Sequence, residues 1–215
     1  MGLLLRRCGG RGSGCRHRTP AGGGPGGLKS LRLFFAVWPP ETVRQRLWRS
    51  LAPLREALPA VRWIPPERLH ITLRFMGDVS PEHVPRLLSA AEALGEVDRF
   101  EVGLAGTGTF PRRGPARVYW VGVRGRPLVH LREGLDFTLA REGVEREDRT
   151  FKPHLTVGRA SRGRRGGDRS RVPADFTVPE LAFTVGAIHL VRSDLLPGGP
   201  RYANVHRAIL GTGRE

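Results

Sequence analysis

The chain has 215 residues, which is enough for one well-packed domain or one domain of two lobes. Its formal net charge of +16 favours a polyanion such as RNA over a neutral metabolite as the partner, although some genomes produce arginine-rich proteins through base composition alone. Both cysteines, Cys8 and Cys15, lie near the N-terminus, so the rest of the chain has no thiol for disulfides, metal binding or nucleophilic catalysis. No apolar run approaches the roughly 20 residues that span a bilayer, so we expect a cytoplasmic protein.

Residues 1–30 are rich in glycine and arginine and contain no acidic residue. Such a segment buries too little apolar area to offset its chain entropy, so we predict a disordered tail. Residues 31–212 are predicted to form a single bilobal domain.

Strand and helix patterns alternate along this domain. Strands are predicted at residues 31–37, 69–75, 100–104, 117–124, 151–157, 183–191 and 202–209, with a loop over 106–115. Helices are predicted over 41–58 with an apolar stripe from Val43 to Leu58, from Ser80 to about Leu94, and over 127–141. Several strand pairs have connections too short for a parallel crossover, which favours an α+β fold with antiparallel sheets.

The strand from Leu69 to Phe75 carries the most informative pattern. At a period of two, Leu69, Ile71, Leu73 and Phe75 share one face, and His70, Thr72 and Arg74 share the other. The pattern returns 84 residues later, where His154 and Thr156 share a face of the strand over 151–157. One His-x-Thr is weak, but two on separate strands indicate an internal duplication with one shared active site.

The residue types suit phosphoryl transfer. An imidazole takes either protonation state near neutrality, so His70 and His154 can divide the work of acid and base. A threonine two residues further along the same face can donate a hydrogen bond to an anionic oxygen. Two such units facing each other would bracket one phosphoryl group.

The sequence resembles the two-histidine phosphoesterase superfamily, and most of all its branch of 2′,5′-RNA ligases and RNA 2′,3′-cyclic phosphodiesterases. The stretches that carry the resemblance are His70-Ile-Thr-Leu, His154-Leu-Thr-Val, Arg32-Leu-Phe-Phe-Ala-Val, Phe75-Met-Gly-Asp-Val, Gly108-Thr-Phe-Pro, Leu190-Val-Arg-Ser-Asp-Leu and Gly199-Pro-Arg-Tyr. The resemblance covers about residues 31–210 and implies two pseudo-twofold-related lobes, each with one motif strand and flanking helices, around a central cleft.

The resemblance also implies a reaction, namely hydrolysis of an RNA terminal 2′,3′-cyclic phosphate to a 2′-phosphate, with ligation through a 2′,5′ bond as its reversible counterpart. We assign His70 as proton donor and His154 as proton acceptor, with Thr72 and Thr156 holding non-bridging oxygens. A pseudo-symmetric site conceals the order of the two histidines. We expect no metal, no cofactor and a monomer.

Phe75 and Arg159 each lie five residues past a motif histidine, so the pseudo-twofold places them opposite each other. An aromatic ring and a guanidinium both stack on a base, and we predict that these two residues bind the terminal base. Strict alternation puts both on the face away from the histidines, so this prediction requires each strand to twist, bulge or end there. Core packing is the alternative for Phe75. Ser193 and Tyr202 match the family pattern too, but packing explains them equally well.

Metal and nucleotide-cofactor sites have no support in the sequence. The histidines outside the motifs have no Cys, Asp or Glu at ligand spacing, and no Walker-type or Gly-x-Gly-x-x-Gly loop follows a strand. Two alternatives stay open: a phosphodiesterase for another cyclic phosphate, such as an ADP-ribose derivative, and an RNA-end-binding module without turnover. The arginine-rich segment Ser161–Arg171 is predicted to contact the RNA backbone at the rim of the cleft, with a solvated loop as the alternative.

Overall fold

The computed structural model describes residues 29–160 and 171–211. Its strands are β1 (Leu31–Val37), β2 (Val61–Trp63), β3 (Ile71–Val79), β4 (Phe100–Phe110), β5 (Val118–Arg124), β6 (His154–Ala160), β7 (Leu181–Val185), β8 (Ala187–Leu196) and β9 (Gly199–Ile209). Its helices are α1 (Glu41–Ser50), α2 (Ala52–Ala57), α3 (Val84–Glu92) and α4 (Arg126–Arg141), with short 3₁₀ turns at Pro66–Arg68 and Pro81–His83. The predicted tail lies outside the described residues except for Lys29 and Ser30.

The nine strands form one sheet in the order β7-β4-β5-β6-β3-β1-β8-β9, and β2 pairs with the C-terminal end of β6. All pairings between these strands are antiparallel. The sheet falls into two halves of four strands that join at β3 and β6, the two strands that carry the motifs.

The connections show the predicted duplication. In one half β1 leads through α1, α2 and β2 to β3, which pairs with β1, and in the other β5 leads through α4 to β6, which pairs with β5. Strands β8 and β9 complete the first lobe, and β4 and β7 complete the second. The predicted α+β class, with antiparallel sheets in two related lobes, is confirmed.

The core lies between one face of the sheet and the helices. Leu33 and Phe35 of β1 point into it and are almost fully buried, as is Leu47 of α1. The other face of β1 is also covered, by a smaller cluster in which Phe34 packs with Val191 of β8. This second face carries the motif residues. No helix among the described residues combines the length and the hydropathy needed to cross a membrane.

The predicted long helix over 41–58 is wrong, because the chain breaks between α1 and α2 at Leu51. Pro53 explains the break, since proline has no amide hydrogen and its ring clashes with the carbonyl four residues earlier. The apolar stripe survives the break, and Val43 and Leu54 are both buried.

Two further boundaries differ from the prediction. The loop predicted over 106–115 is wrong in its first half, because β4 continues to Phe110 and pairs with β5 along this stretch. The single strand predicted over 183–191 is two strands, which separate at Gly186. β7 pairs with β4 in one lobe and β8 pairs with β1 in the other, so the chain changes lobes at this glycine.

Candidate active site

The two motif strands meet at one residue pair in the middle of the sheet. β3 and β6 are bridged at Ile71 and Leu155, both fully buried, and beyond this bridge the strands part. The C-terminal end of β6 pairs instead with β2, where Trp63 lies opposite Gly158. Strands β3 and β6 are therefore joined at one residue pair, and a cleft begins beside it.

Residues that flank the bridge alternate to the opposite face of the sheet. In the antiparallel register His70 lies across from Thr156, and Thr72 lies across from His154. The structure thus brings the four predicted catalytic residues onto one face at the junction of the lobes, with the two histidines on a diagonal.

Both imidazoles are oriented by the same backbone contact. Nδ1 of His70 lies 2.8 Å from the carbonyl oxygen of Arg68, and Nδ1 of His154 lies 2.6 Å from the carbonyl oxygen of Lys152. A carbonyl only accepts, so Nδ1 carries the proton in both rings. Nε2 is then the nitrogen that can accept a proton when the ring is neutral and donate one when the ring is protonated.

Aromatic rings surround His70. The centroids of Phe34 and Trp38 lie 5.0 Å from its ring, and Tyr202 meets it edge-on at 5.1 Å and 87°. Burial lowers the pKa of His70 from 6.5 to about 4, against the opposing effect of the Arg68 carbonyl. The positive charges of Arg159 and of a protonated His154 lower this pKa further, so both groups lie close to His70.

His154 has a more open environment. One ring, Phe110 of β4, meets it edge-on at 5.1 Å and 84°, and its hydrogen bond to Lys152 is exposed, whereas that of His70 is partly buried. Its neighbour on β5 is Gly122, where a Cβ would come within 2.6 Å of the carbonyl oxygen of Ala105. The histidine of the second half-site therefore has one ring contact, whereas that of the first has three.

A β-bulge corrects the predicted alternation of the first motif. Phe35 pairs with Arg74 and Ala36 pairs with Thr72, which leaves Leu73 as an extra residue in β3. As a result Arg74, predicted on the face of His70, is buried at 4% exposure. Phe75, predicted on the core face by strict alternation, is 60% exposed instead. Its ring lies 5.8 Å from Phe34, which itself contacts His70, so Phe75 is on the site face.

The second motif contains a bulge at the equivalent position. Trp120 pairs with Thr156 and Tyr119 pairs with Gly158, which leaves Val157 unpaired. Val157 and Gly158 are buried, and Arg159 is exposed close enough to His70 to lower its pKa. The bulges thus supply what the prediction for Phe75 and Arg159 required, and both residues reach the face of the histidines.

A buried charge cluster holds the first bulge. Arg74 donates to Asp136 of α4 at 2.5 Å, and Arg132 donates to the other oxygen of Asp136 at 2.8 Å and to Glu147 at 2.9 Å. Arg132 also donates to the carbonyl oxygen of Leu73, the extra residue of the bulge. Two guanidinium groups and two carboxylates therefore fix the backbone that turns Phe75 outward.

The same cluster reaches the segment that leads to the second motif. Arg74 donates to the carbonyl oxygen of Glu145, and the Arg132 guanidinium lies 5.5 Å from the ring of Phe151. Residues 145–151 run directly into Lys152 and His154. The cluster therefore links the two motifs on the side of the sheet away from the cleft.

Several residues around the histidines are not evident from sequence patterns alone. Phe34 and Trp38 read as a buried strand and its end, and nothing in their spacing connected them with His70. Tyr202 matches the family pattern, for which packing is an equal explanation, and in the structure it contacts His70 directly. Ser193 lies across from Tyr202 in the β8–β9 pair and is buried at 9% exposure.

The structure describes only one arginine of the segment Ser161–Arg171, and the other four lie outside the described residues. Arg171 donates to Thr109 Oγ1 at 3.3 Å, to the Arg112 carbonyl at 3.2 Å and to the Gly114 carbonyl at 2.8 Å. This arginine thus holds the connection between β4 and β5. Over the described ranges, no three His, Cys, Asp or Glu side chains are grouped closely enough to hold a metal ion.

Known proteins resemble this chain in sequence and in fold. A family model described as the 2′-5′ RNA ligase superfamily matches residues 39–195. Proteins named RNA 2′,3′-cyclic phosphodiesterase from Methanothermobacter thermautotrophicus and Thermus thermophilus are 33% and 35% identical, over 81% and 84% of this chain and 96% and 90% of their own lengths. The structure is similar to that of Escherichia coli LigT complexed with 3′-AMP, with a TM-score of 0.71 and 28% identity over 85% of this chain and 99% of that one.

Proposed function

Because the chain belongs to the 2′-5′ RNA ligase superfamily, we propose that it hydrolyses the 2′,3′-cyclic phosphate at the end of an RNA to a 2′-phosphate. The observation that carries this proposal is the meeting of both His-x-Thr motifs at one strand pair, with each imidazole oriented by a backbone carbonyl. The relatives named RNA 2′,3′-cyclic phosphodiesterase and the chain's net charge of +16 support RNA as the substrate class.

In the proposed reaction Nε2 of His154 takes a proton from water, and the water oxygen forms a bond to phosphorus. The bond between phosphorus and O3′ breaks on the opposite side, and O3′ takes the proton of Nε2 of His70. The products are a 2′-phosphate monoester and a free 3′-hydroxyl group. Thr72 and Thr156 donate hydrogen bonds to the non-bridging oxygens, where negative charge develops.

The low pKa of His70 sets a condition on its role as acid. With a pKa of about 4, this imidazole is neutral in the free protein at pH 7. A phosphate anion at Nε2 favours the protonated ring, as an opposite charge within about 4–6 Å raises such a pKa by roughly 1–3 units. Substrate binding therefore raises the protonated fraction of His70, and the protonated ring delivers its proton to O3′ in the reaction.

The terminal base lies between Phe75 and Arg159 in this proposal. Both side chains are exposed on the site face, and one comes from each lobe. A ring and a planar guanidinium stack on any base, so the site binds RNA ends without strong sequence preference.

One chain carries both motifs, so a monomer holds the complete site, and the histidines perform both proton transfers without a metal. Replacing water with the 5′-hydroxyl of a second RNA gives a 2′,5′ bond through the same proton transfers. Ligation is thus the same chemistry with another nucleophile. The cytoplasm, where RNA ends arise, is the location that we propose.

The test is turnover of a short RNA that ends in a 2′,3′-cyclic phosphate, with the products separated to distinguish 2′- from 3′-phosphate. We expect a 2′-phosphate, activity that persists in a metal chelator, and a loss of roughly 10²–10⁴-fold in kcat for His70→Ala and for His154→Ala. Near-full activity of both variants would refute the mechanism. Tight binding of this RNA without turnover would favour an end-binding module, and faster turnover of an ADP-ribose cyclic phosphate would reassign the substrate.

A further inference from the structure

A cavity of about 520 Å³ lies beside His70 and has no role in the reaction above. Its walls include Trp38, Arg44, Arg68, Arg201, Tyr202 and Asn204. This volume is much larger than a phosphate group needs and is in the range of pockets that bind whole small ligands.

The cavity shares its wall with the candidate active site. Trp38 and Tyr202 line the cavity and also contact the ring of His70 at 5.0 and 5.1 Å. Arg68 lines the cavity as well, and its carbonyl oxygen orients His70. Burial raises the pKa of Tyr202, while the positive charges of Arg159 and Arg68 oppose that rise. Tyr202 therefore senses the charge of both Arg159, from the proposed base site, and Arg68, from the cavity.

The charge of the cavity selects an anion. The walls of the cavity contain three arginines and one carboxylate, that of Glu67. The side chain of Arg44 is held by the carbonyl oxygens of Pro39 and Pro66, at 3.0 and 2.9 Å, and that of Arg68 donates to the Pro200 carbonyl at 3.3 Å. Within the described part of the chain, neither arginine forms an ion pair.

The third arginine, Arg201, is more exposed. Its one described ion pair, with Asp194, is long at 3.6 Å, and 69% of the side chain is accessible. Such a guanidinium can exchange its partner for a phosphate at little cost. The cavity therefore contains two guanidinium groups fixed by hydrogen bonds, one exposed guanidinium group and two aromatic side chains. Groups of these kinds bind the phosphates and bases of nucleotides.

We propose that this cavity binds the nucleotide on the 5′ side of the cyclic end, with its phosphodiester on the arginines and its base against Trp38. The inference rests on the proposed function and adds a second subsite to it. The protein then distinguishes the end of an RNA chain from a free cyclic mononucleotide, because only a chain fills both subsites.

The experiment compares three substrates with the same terminal nucleotide, each ending in a 2′,3′-cyclic phosphate. They are a mononucleotide, a dinucleotide, and a dinucleotide whose internal linkage is an uncharged methylphosphonate. We expect kcat/KM of the charged dinucleotide to exceed that of the mononucleotide by about tenfold or more, as for one charge-assisted contact, and the neutral linkage to remove most of this advantage.

Arg201→Gln tests the cavity, and Arg207→Gln is its matched control. Both residues are exposed arginines of β9, and Arg207 does not line the cavity. We expect the ratio of dinucleotide to mononucleotide kcat/KM to fall about 3- to 10-fold in Arg201→Gln and to stay at the wild-type value in Arg207→Gln. In Arg201→Gln the neutral linkage should cause a smaller loss than in the wild type, because only Arg44 and Arg68 then remain to contact the charged linkage.

Equal ratios in the two variants, or an advantage that survives the neutral linkage, would overturn the inference. Saturable binding of ADP without any preference for the dinucleotide would also overturn it, since the cavity would then serve a separate nucleotide. Calorimetric binding is measured in parallel on the same substrates. If the dinucleotide binds selectively without turnover, the proposed hydrolysis fails and the subsite stands.

Discussion

The two halves of the site share a motif, a bulge and a backbone contact, yet they differ in their surroundings. His70 lies among three aromatic rings, and its pKa is lowered to about 4. His154 contacts one ring and lies opposite Gly122 of β5. The duplication therefore reproduced the placement of the imidazoles but not their environment. In a pseudo-symmetric site, the environment is what can assign acid and base to two identical side chains.

The bulges differ in the same way. The first is fixed by charge, with Arg74 and Arg132 bound to Asp136. The second is fixed by close packing at Gly158, where a Cβ would lie 2.6 Å from Val61 Cγ1. Equivalent backbone shapes are thus held by unrelated interactions. Each prediction below changes one half and uses the other, or a matched surface residue, as its reference.

The largest expected effect is a difference between His70→Ala and His154→Ala in how their activity depends on the leaving group. If O3′ of the cyclic phosphate is replaced by sulfur, the leaving thiolate needs no proton, so the general acid becomes dispensable. His70→Ala should lose roughly 10²–10⁴-fold on the oxygen substrate and regain most of that loss on the sulfur substrate. His154→Ala should remain impaired on both. Rescue of His154→Ala in place of His70→Ala would reverse the two roles.

Arg132→Met should break the charge cluster behind the first bulge. It removes bonds to two carboxylates and to the Leu73 carbonyl, and it leaves Asp136 with Arg74 as its remaining partner in the cluster. We expect a loss of about 2–4 kcal/mol in the free energy of unfolding, measured in urea. Arg141→Met, an exposed arginine on the same helix, should change it by less than about 0.5 kcal/mol. Similar stabilities for the two variants would show that the cluster does not stabilise the fold.

Much of this arrangement could be predicted from the sequence. Strand β1 and the positions of both motifs follow from periodicity and residue type, and those signals are local. The bulges were not predictable, because one unpaired residue leaves no mark in an alternating pattern until the partner strand is known. Strict alternation therefore places Arg74 and Phe75 on the wrong faces, although the base-binding prediction requires a twist, a bulge or a strand end at this point.

The aromatic rings around His70 could not be predicted from the sequence for a different reason. Phe34 lies on the first strand, Trp38 directly follows that strand, and Tyr202 lies on the last strand. These rings meet around His70 only because β8 pairs with both β1 and β9. The change of lobe at Gly186 was equally hidden, because two buried strands in sequence look like one long strand. Local patterns identify elements and chemical groups, whereas pKa values depend on contacts between distant elements.

A smaller effect should test the base site, where the two lobes contribute one residue each. Phe75→Ala or Arg159→Gln should remove about 1–3 kcal/mol of binding energy and so lower kcat/KM on an RNA end about 5- to 150-fold. Phe137→Ala is the matched control, since Phe137 is 57% exposed against 60% for Phe75 and lies on α4. On a methyl riboside cyclic phosphate, which has no base, both site variants should match the wild type. An equal loss on this compound would contradict base stacking.

The smallest expected effect is the uptake of a proton by His70 when an anion binds. Its measurement leaves the half-site of His154 unchanged. In the free protein this ring is neutral above about pH 4, whereas a bound anion at Nε2 favours its protonated form. Between pH 5 and 6.5 the complex therefore holds more protons than the free protein, and affinity should rise as the pH falls, by up to about tenfold per pH unit. The suitable ligand is sulfate, whose charge does not change over this range.

Calorimetry of sulfate binding in two buffers of different ionisation enthalpy gives the number of protons taken up. We expect the wild type to take up more than His70→Gln, by up to one proton, with the difference greatest near pH 5 to 6. Glutamine keeps the size of the side chain but cannot be protonated, so the difference between the proteins belongs to His70. Equal uptake in both would mean that His70 stays neutral beside an anion. Its lowered pKa would then suit a base, and the environment would have assigned the two roles in the opposite order.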